Sequence, residues 1–126
     1  MDGKNVLLVD DSDIVLDVGK LLLEAAGFAV RTAHDLRQLD AVLTTWSPDL
    51  VLTDVNMPEL TGLELCRRIK AQVAREDVPL VLLSSLGDAE LAKLAQRYGA
   101  DAWLSKDQGL DRLPERVLAL CEGGPS

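Results

Sequence analysis

The stretch Val6-Leu7-Leu8-Val9-Asp10-Asp11 decides the fold, because it places a short apolar run directly before two carboxylates. Four more short apolar runs follow, and longer segments whose apolar residues have helical spacing separate them. The four runs are Ala29-Val30, Leu50-Val51-Leu52, Leu80-Val81-Leu82-Leu83 and Ala102-Trp103-Leu104. Strands with continuous apolar residues are covered on both faces, which is typical of a parallel sheet. The sequence therefore predicts an α/β domain of five β/α repeats.

Five apolar stripes predict the five helices that separate and follow these strands. In each stripe the apolar residues recur at intervals of three and four, so that they share one helix face, which is expected to pack on the core. The stripes are Ile14, Val18, Leu21, Leu22 and Ala25; Leu36, Leu39 and Leu43; Leu63, Cys66, Ile69 and Val73; Leu91, Leu94, Ala95 and Tyr98; and Leu113, Val117, Leu120 and Cys121. Ser12 is placed to cap the first helix, Gly27 to end it, and Gly99 to end the fourth.

Length and charge restrict the class of protein. The 126 residues make one domain, which we expect over 1–122, with 123–126 as a flexible tail or the stub of a linker to a longer chain. The formal charge of −8 makes the domain a poor direct ligand for nucleic acid or for an anionic membrane surface. No signal peptide or membrane-length apolar run is present, and the two cysteines lack zinc spacing. The expected location is cytoplasmic.

Carboxylates collect at the carboxyl ends of the predicted strands. Asp10-Asp11 follow the first strand and Asp54 follows the third. Ligands of open parallel sheets bind at this edge. A helix cap is a common role for one Asp, but three close carboxylates repel each other unless a cation compensates them. Oxygen ligands suit Mg²⁺, so the sequence predicts a Mg²⁺ site here.

Two or three serine hydroxyls and a lysine extend this group. Ser84-Ser85 end the fourth strand and Ser105-Lys106 end the fifth. A lysine beside a carboxylate can hold a phosphoryl group during transfer. Taken alone, Lys106 would equally be an ordinary solvent-exposed lysine, so its role depends on the rest of the group.

Four motifs together resemble the receiver domains of two-component response regulators. They are Val6–Asp11, Asp54-Val55-Asn56-Met57-Pro58 with Gly62 eight residues after the Asp, Val81–Ser85, and Gly99–Lys106. The resemblance covers the chain from about Asn5 to Leu120, with each motif at a strand end. It implies a flavodoxin-like doubly wound (βα)5 fold, whose five-stranded parallel sheet has the order 2-1-3-4-5 and helices on both faces.

The resemblance also assigns the phosphorylation site. Asp54 corresponds to the phosphoacceptor. Asp10 and Asp11, together with Asp54 and the backbone carbonyl of Asn56, correspond to the ligands of Mg²⁺. Lys106 corresponds to the lysine that contacts the phosphoryl group.

A switch is implied by the same resemblance. Ser84 corresponds to the switch hydroxyl and Trp103 to the aromatic switch residue. Phosphorylation by a histidine kinase or a phosphotransfer domain would turn Ser84 toward the phosphoryl group and change the face formed by helix 4, strand 5 and helix 5. That face would bind a downstream protein target. The only catalysis expected is self-phosphorylation from small donors and autodephosphorylation.

The segment after Lys106 departs from the family pattern. Asp107 stands where the family usually has a proline in a cis peptide, so the peptide is either trans with a rearranged loop or cis without proline. Pro114 is compatible with a first helical turn that begins near Asp111. Trp103 is larger than the usual Tyr or Phe, and Ser85 stands where Ala or Gly is common.

Two other functions remain open at this point. One is a receiver-like interaction module that acts without phosphorylation, favoured only by the changed segment at Lys106-Asp107. The other is a Mg²⁺-dependent phosphatase with an Asp nucleophile, which would want a second Asp where this chain has Asn56. The only histidine, His34, is expected in an exposed loop, and Trp46 is expected to be partly buried at the end of the second helix.

Overall fold

Five parallel strands form one sheet in a computed structural model that describes residues 4–55, 59–73 and 77–123. The strands are β1 (Asn5–Val9), β2 (Ala29–Ala33), β3 (Leu50–Asp54), β4 (Leu80–Ser84) and β5 (Ala102–Ser105). Their order is β2-β1-β3-β4-β5 and all four pairings are parallel. This confirms the predicted sheet. Strand β2 is longer than the predicted run, because Arg31 and Thr32 continue an edge strand with one open side.

Five α-helices connect and follow the strands, as predicted. They are α1 (Asp13–Ala25), α2 (Leu36–Thr45), α3 (Gly62–Gln72), α4 (Asp88–Tyr98) and α5 (Leu113–Gly123). Helix α5 includes Gly123, the first residue of the tail expected at 123–126, and the rest of that tail lies outside the described residues. The division at residue 122 therefore stays a prediction. None of the described helices is long and apolar enough to cross a membrane.

Two predicted capping residues, Ser12 and Gly99, cap helix ends in the structure, and a further capping box begins α3. Ser12 Oγ accepts a hydrogen bond from Val15 N at 3.3 Å and begins α1. Gly99 ends α4 with φ of 75°, a left-handed conformation that glycine adopts without steric cost. Thr61 and Glu64 form a reciprocal capping box at the start of α3. These local signals fix where the loops at the strand ends begin.

Two apolar clusters lie on opposite faces of the sheet, because successive strand residues point to opposite sides. Leu7, Val9, Val51 and Leu82 belong to the cluster that contains residues of α2, α3 and α4. Val6, Leu8, Leu52 and Leu83 belong to the cluster that contains residues of α1 and α5. The central strands are thus buried on both faces, and the expected placement of helices on both sides is confirmed.

The predicted core stripe of α1 is wrong. Ile14 and Leu21 are 75% and 69% exposed, and Val18 is also exposed. The buried residues of α1 are Leu16, Gly19 and Leu23. Helix α1 carries apolar residues on both sides, so its sequence offers two possible core faces.

Gly19 lies at a close approach between the buried face of α1 and β1. A Cβ atom built at Gly19 would lie 2.7 Å from Leu8 Cδ2, which is closer than a side chain can sit. The absence of a side chain therefore lets α1 approach β1 on this face. The three apolar residues Ile14, Val18 and Leu21, here called the α1 stripe, remain on the outside.

Candidate functional site

The three predicted carboxylates converge at the carboxyl edge of the sheet. Asp10 follows β1, Asp11 is the next residue, and Asp54 is the last residue of β3. Since β1 and β3 are neighbours in the sheet, their ends meet. One carboxylate oxygen from each of Asp10, Asp11 and Asp54 lies within 4.8 Å of the others, and we call this group the acidic cluster.

Lys106 reaches the acidic cluster from the end of β5. Its Nζ lies 2.7 Å from Asp10 Oδ2 and 3.9 Å from Asp54 Oδ2. The Lys106 side chain is only 20% exposed, and Asp10 is fully buried. Charges that are this far from solvent are weakly screened, so the ammonium group compensates much of the local negative charge. The solvent-exposed alternative for Lys106 is thereby excluded.

The donor set of the acidic cluster fits a hard divalent cation. Asp10 Oδ1 accepts a hydrogen bond from Ser12 N at 2.9 Å. Asp10 Oδ2 is buried and, among the described residues, has the Lys106 ion pair but accepts no hydrogen bond. A buried anionic oxygen in that position suits a cation that prefers oxygen ligands. The predicted fourth ligand, the backbone carbonyl of Asn56, lies outside the described residues.

Ser84 ends β4 beside this cluster. The residue is buried, and its Oγ accepts a hydrogen bond from Leu86 N at 3.2 Å. Strands β3 and β4 pair so that Asp54 is opposite Leu83, which places Ser84 one residue beyond Asp54 along the sheet edge. Ser85, the next residue, is exposed. Ser84 is thus next to the acidic cluster, as the strand-end argument predicts.

Trp103 lies on β5 and faces the side of the sheet that carries α4. It is partly buried and packs against the cluster that contains Leu91 and Ala95 of α4. Its strand position is opposite Leu82 of β4. The ring therefore belongs to the face formed by α4, β5 and α5, here called the α4–β5–α5 face.

The segment after Lys106 is trans and locally rearranged, which answers the question that the missing proline raised. The peptide between Lys106 and Asp107 is trans, and residues Lys106–Gln108 form a 3-10 helical turn, here called the Lys106 turn. A second 3-10 turn, Leu110–Arg112, leads into α5. Helix α5 begins at Leu113 rather than near Asp111, and Pro114 lies in its first turn, where proline is tolerated.

Ser105 was predicted from the sequence only as a residue at the end of the fifth strand. Its side chain is buried; Ser105 Oγ donates to Leu86 O at 3.1 Å and accepts from Asp107 N at 3.2 Å. The hydroxyl thereby joins the loop after Ser84 to the Lys106 turn. Its position one residue before Lys106 was the only signal of this role in the sequence.

Other candidate residues lie outside the site. His34 is exposed, with Nδ1 3.5 Å from Asp35 Oδ2. Cys66 is buried on α3, and this burial raises the pKa of its thiol to about 11, so it is an inert core thiol, as expected. Cys121 is half-buried on α5. Trp46 is partly buried directly after α2, as expected.

Comparison with known sequences identifies similar proteins over most of the chain. The family model described as the response regulator receiver domain matches residues 6–118. The chain is 32% identical over 120 residues to the phosphate regulon transcriptional regulatory protein PhoB of Pseudomonas aeruginosa, which covers 95% of this chain and 52% of that protein. It is 38% identical over 113 residues to a gliding motility regulatory protein of Myxococcus xanthus, which covers 89% of this chain and 14% of that protein.

Solved structures show the same likeness. The chemotaxis response regulator CheY4 of Vibrio cholerae superimposes with a TM-score of 0.82 at 29% identity, covering 93% of this chain and 98% of that one. The N-terminal signal receiver domain of a two-component system response regulator from Bacteroides fragilis superimposes with a TM-score of 0.80 at 31% identity, covering 97% and 98%. The chain thus spans nearly all of these single domains, but about half or less of the two curated relatives above.

Proposed function

The chain belongs to the response regulator receiver domain family of two-component systems, and on this basis we propose that Asp54 accepts a phosphoryl group in the presence of Mg²⁺. Domains of this family are phosphoacceptor signalling switches that interact with histidine kinases and downstream effectors, and they generally bind Mg²⁺ at an acidic site. One observation carries the proposal: Lys106 Nζ lies within 3.9 Å of a carboxylate oxygen of both Asp10 and Asp54. The alternative, an interaction module without phosphorylation, is not favoured.

The transfer step follows from the roles of Asp54 and Lys106. A carboxylate oxygen of Asp54 forms a bond to phosphorus while the bond between phosphorus and the donor histidine nitrogen breaks. The electron pair of that bond stays with the imidazole, which takes a proton from water, and Asp54 becomes an acyl phosphate. Lys106 Nζ holds a phosphoryl oxygen through a charge-assisted hydrogen bond, because charge on the oxygens is what the protein must stabilise in such a transfer.

Asp10, Asp11 and Asp54 would hold Mg²⁺, with the backbone carbonyl of Asn56 as a further ligand. When bound, this cation supplies positive charge that offsets the carboxylates and the incoming phosphoryl group. Without such a cation the acidic cluster would repel an anionic phosphoryl group, and Lys106 alone would have to compensate it. We therefore expect phosphorylation to require a divalent cation.

The switch step starts at Ser84. A phosphoryl group on Asp54 offers new acceptor oxygens, and the Ser84 hydroxyl can turn from its contact with Leu86 N to donate to one of them. Trp103 would follow this movement and change the α4–β5–α5 face, which then binds a downstream protein. Reversing an equilibrium from mostly inactive to mostly active requires about 5.5 kcal/mol of differential stabilisation.

The chain's own phosphorylation from small donors and its own dephosphorylation are the only reactions we assign to it. Output passes to protein partners in the cytoplasm rather than directly to nucleic acid, because the formal charge of −8 disfavours contact with a phosphate backbone.

Incubation with a small acyl phosphate and Mg²⁺ tests the proposal through the intact mass of the protein. We expect the wild-type chain to gain the mass of one phosphoryl group, and the Asp54→Asn variant and a sample with a Mg²⁺ chelator to gain none. An equal gain in Asp54→Asn would contradict the assignment of the acceptor. A wild-type chain that binds Mg²⁺, stays folded and gains no mass from any donor would favour the interaction module.

The α1 stripe suggests where the phosphodonor protein docks. Direct transfer brings the donor histidine next to Asp54, so the donor must also cover the surface that borders the acidic cluster. Ile14 lies in the first turn of α1, three residues after Asp11, and Ile14, Val18 and Leu21 share one exposed apolar face of α1. An apolar stripe of this kind suits a helical partner with an apolar face of its own. We propose that a histidine phosphotransfer domain or kinase binds here.

Replacement of both Ile14 and Leu21 by serine separates docking from chemistry. We expect kcat/KM for transfer from a phosphorylated histidine domain to fall about 10-fold or more, since truncating the few central anchor residues of an interface costs more than about 1 kcal/mol each. Phosphorylation by a small acyl phosphate should stay within about twofold of wild type, because exposed side chains contribute little to stability. Equal losses with both donors would count against docking at the α1 stripe.

A further inference from the structure

A continuous set of hydrogen bonds links the switch hydroxyl to the Lys106 turn. Leu86 N donates to Ser84 Oγ at 3.2 Å, and Leu86 O accepts from Ser105 Oγ at 3.1 Å. Ser105 Oγ in turn accepts from Asp107 N at 3.2 Å. The backbone of Leu86 is therefore held on one side by Ser84 and on the other by Ser105. Two loops at the edge of the sheet share one buried hydroxyl.

Strand register brings the two serines together. Ser84 and Ser105 are the paired last residues of β4 and β5, and both are buried. A buried hydroxyl group without a hydrogen-bond partner destabilises the folded protein, so each serine is held in place by its hydrogen bonds. Movement of one partner must therefore be accommodated by the other.

The Lys106 turn depends on Ser105 because no proline fixes this segment. Ser105 Oγ caps the turn by accepting a hydrogen bond from Asp107 N, and Gly109 N donates to Lys106 O at 3.0 Å to close the turn. This turn sets the direction in which the Lys106 side chain leaves β5 toward Asp10 and Asp54. The hydroxyl of Ser105 thus helps to fix the backbone of Lys106, whose ammonium group contacts the phosphorylation site.

We propose that Ser105 is a positioning residue that couples the Ser84 hydroxyl to the Lys106 turn, so that phosphorylation and the switch movement are linked. The inference rests on the proposed function for its consequence, but the coupling itself exists in the unphosphorylated chain. When Ser84 Oγ turns away from Leu86 N, the backbone of Leu86 is released, the bond to Ser105 weakens, and the Lys106 turn adjusts. No direct contact between Ser105 and the phosphoryl group is required.

Amide hydrogen exchange tests the coupling without any phosphorylation. We expect Ser84→Ala to speed exchange of the Asp107 amide about 3- to 10-fold, the factor that corresponds to one typical hydrogen bond. In a Ser105→Ala background the same substitution should have no further effect on Asp107. An Asp107 amide that does not respond to Ser84→Ala, or that responds equally in both backgrounds, would overturn the coupling.

The phosphorylation rate and the fluorescence of Trp103 test the effect of this coupling on phosphorylation and on the switch movement. The experiment uses a Trp46→Phe background, which leaves Trp103 as the only tryptophan. We expect Ser105→Ala to slow modification by a small acyl phosphate about 3- to 10-fold and to reduce the phosphorylation-dependent change in Trp103 emission. Ser105→Thr, which keeps the hydroxyl, should restore both. Ser47→Ala, at an exposed serine near the opposite edge of the sheet, is the matched control.

The outcomes distinguish this inference from the proposed function. If the Ser84→Ala variants show the amide coupling but the wild-type chain gains no phosphoryl group, the proposed function alone is contradicted. A wild-type chain that is phosphorylated normally, with Ser105→Ala modified at the same rate and with the same Trp103 response, would overturn the role of Ser105. Failure of Ser105→Thr to restore either readout would show that packing, rather than the hydroxyl, matters at this position.

Discussion

Replacing Lys106 by methionine is expected to slow phosphorylation of Asp54 about 100-fold or more, in the range of 10²–10³ for removal of one preorganised donor to a developing oxyanion. Methionine keeps much of the apolar length of lysine but removes the ammonium group that lies 2.7 Å from Asp10 and 3.9 Å from Asp54. The measurement is the initial rate of mass gain with a small acyl phosphate at saturating Mg²⁺. Lys93→Met, at an exposed position of α4, is the control and should change the rate less than twofold.

Lys106→Met is also expected to affect stability, and this effect can be measured separately from the phosphorylation rate. Asp10 is fully buried, so loss of its ion-pair partner leaves a buried carboxylate that only a bound cation can compensate. We therefore expect Mg²⁺ to raise the melting temperature of Lys106→Met by more than it raises that of wild type. A folded Lys106→Met protein that is phosphorylated at the wild-type rate would remove the main support for the assigned role of this lysine.

Leu52→Ala is expected to lower the free energy of unfolding by about 2–5 kcal/mol, the range for truncating a fully buried leucine. Leu52 lies in the central strand β3, two residues before Asp54, and has no exposed surface. The matched control is Leu21→Ala, because Leu21 is the same residue type on the α1 stripe and is 69% exposed. Its effect should stay within about 0.5 kcal/mol.

Urea denaturation of both variants measures this difference directly, provided that the slope with denaturant is unchanged. A large loss of stability in Leu21→Ala would mean that the face of α1 first predicted from the sequence is the buried one after all. A small loss in Leu52→Ala would contradict the packing of helices on both faces of the sheet.

The sheet and its acidic edge were predictable because their signals are local and redundant. The apolar runs at Val6–Val9, Leu50–Leu52 and Leu80–Leu83 have no polar interruption, which in a sheet requires cover on both faces. A parallel sheet brings the ends of its strands to one edge. Asp10 and Asp54 therefore had to lie close together once β1 and β3 were neighbours.

The orientation of α1 could not be predicted, because periodicity alone does not distinguish two apolar faces of one helix. The residues Ile14, Val18 and Leu21 recur as regularly as Leu16, Gly19 and Leu23. The buried face includes Gly19, where a Cβ atom would lie 2.7 Å from Leu8 Cδ2, and this close approach is not visible in the periodicity of the sequence. The apolar face left outside is the α1 stripe, which we propose as the docking surface for the phosphodonor.

The link between the Lys106 turn and the loop after β4 was also beyond prediction, because the two loops are distant in sequence. The sequence showed that Asp107 replaces the expected proline, and left the peptide geometry open. The hydrogen bond from Ser105 Oγ to Leu86 O spans 19 residues. Such a tertiary contact has no periodic signature in the sequence.

Locating the phosphoryl group on the chain tests the central claim most directly. After reaction with a small acyl phosphate and Mg²⁺, the protein is cleaved and the modified residue is identified from peptide fragment masses, with the Asp54→Asn variant in parallel. The prediction is a single phosphorylated residue, Asp54, whose modification is lost on treatment with hydroxylamine, as an acyl phosphate should be. A phosphoryl group on a serine or on His34, or one that survives hydroxylamine, would contradict the account.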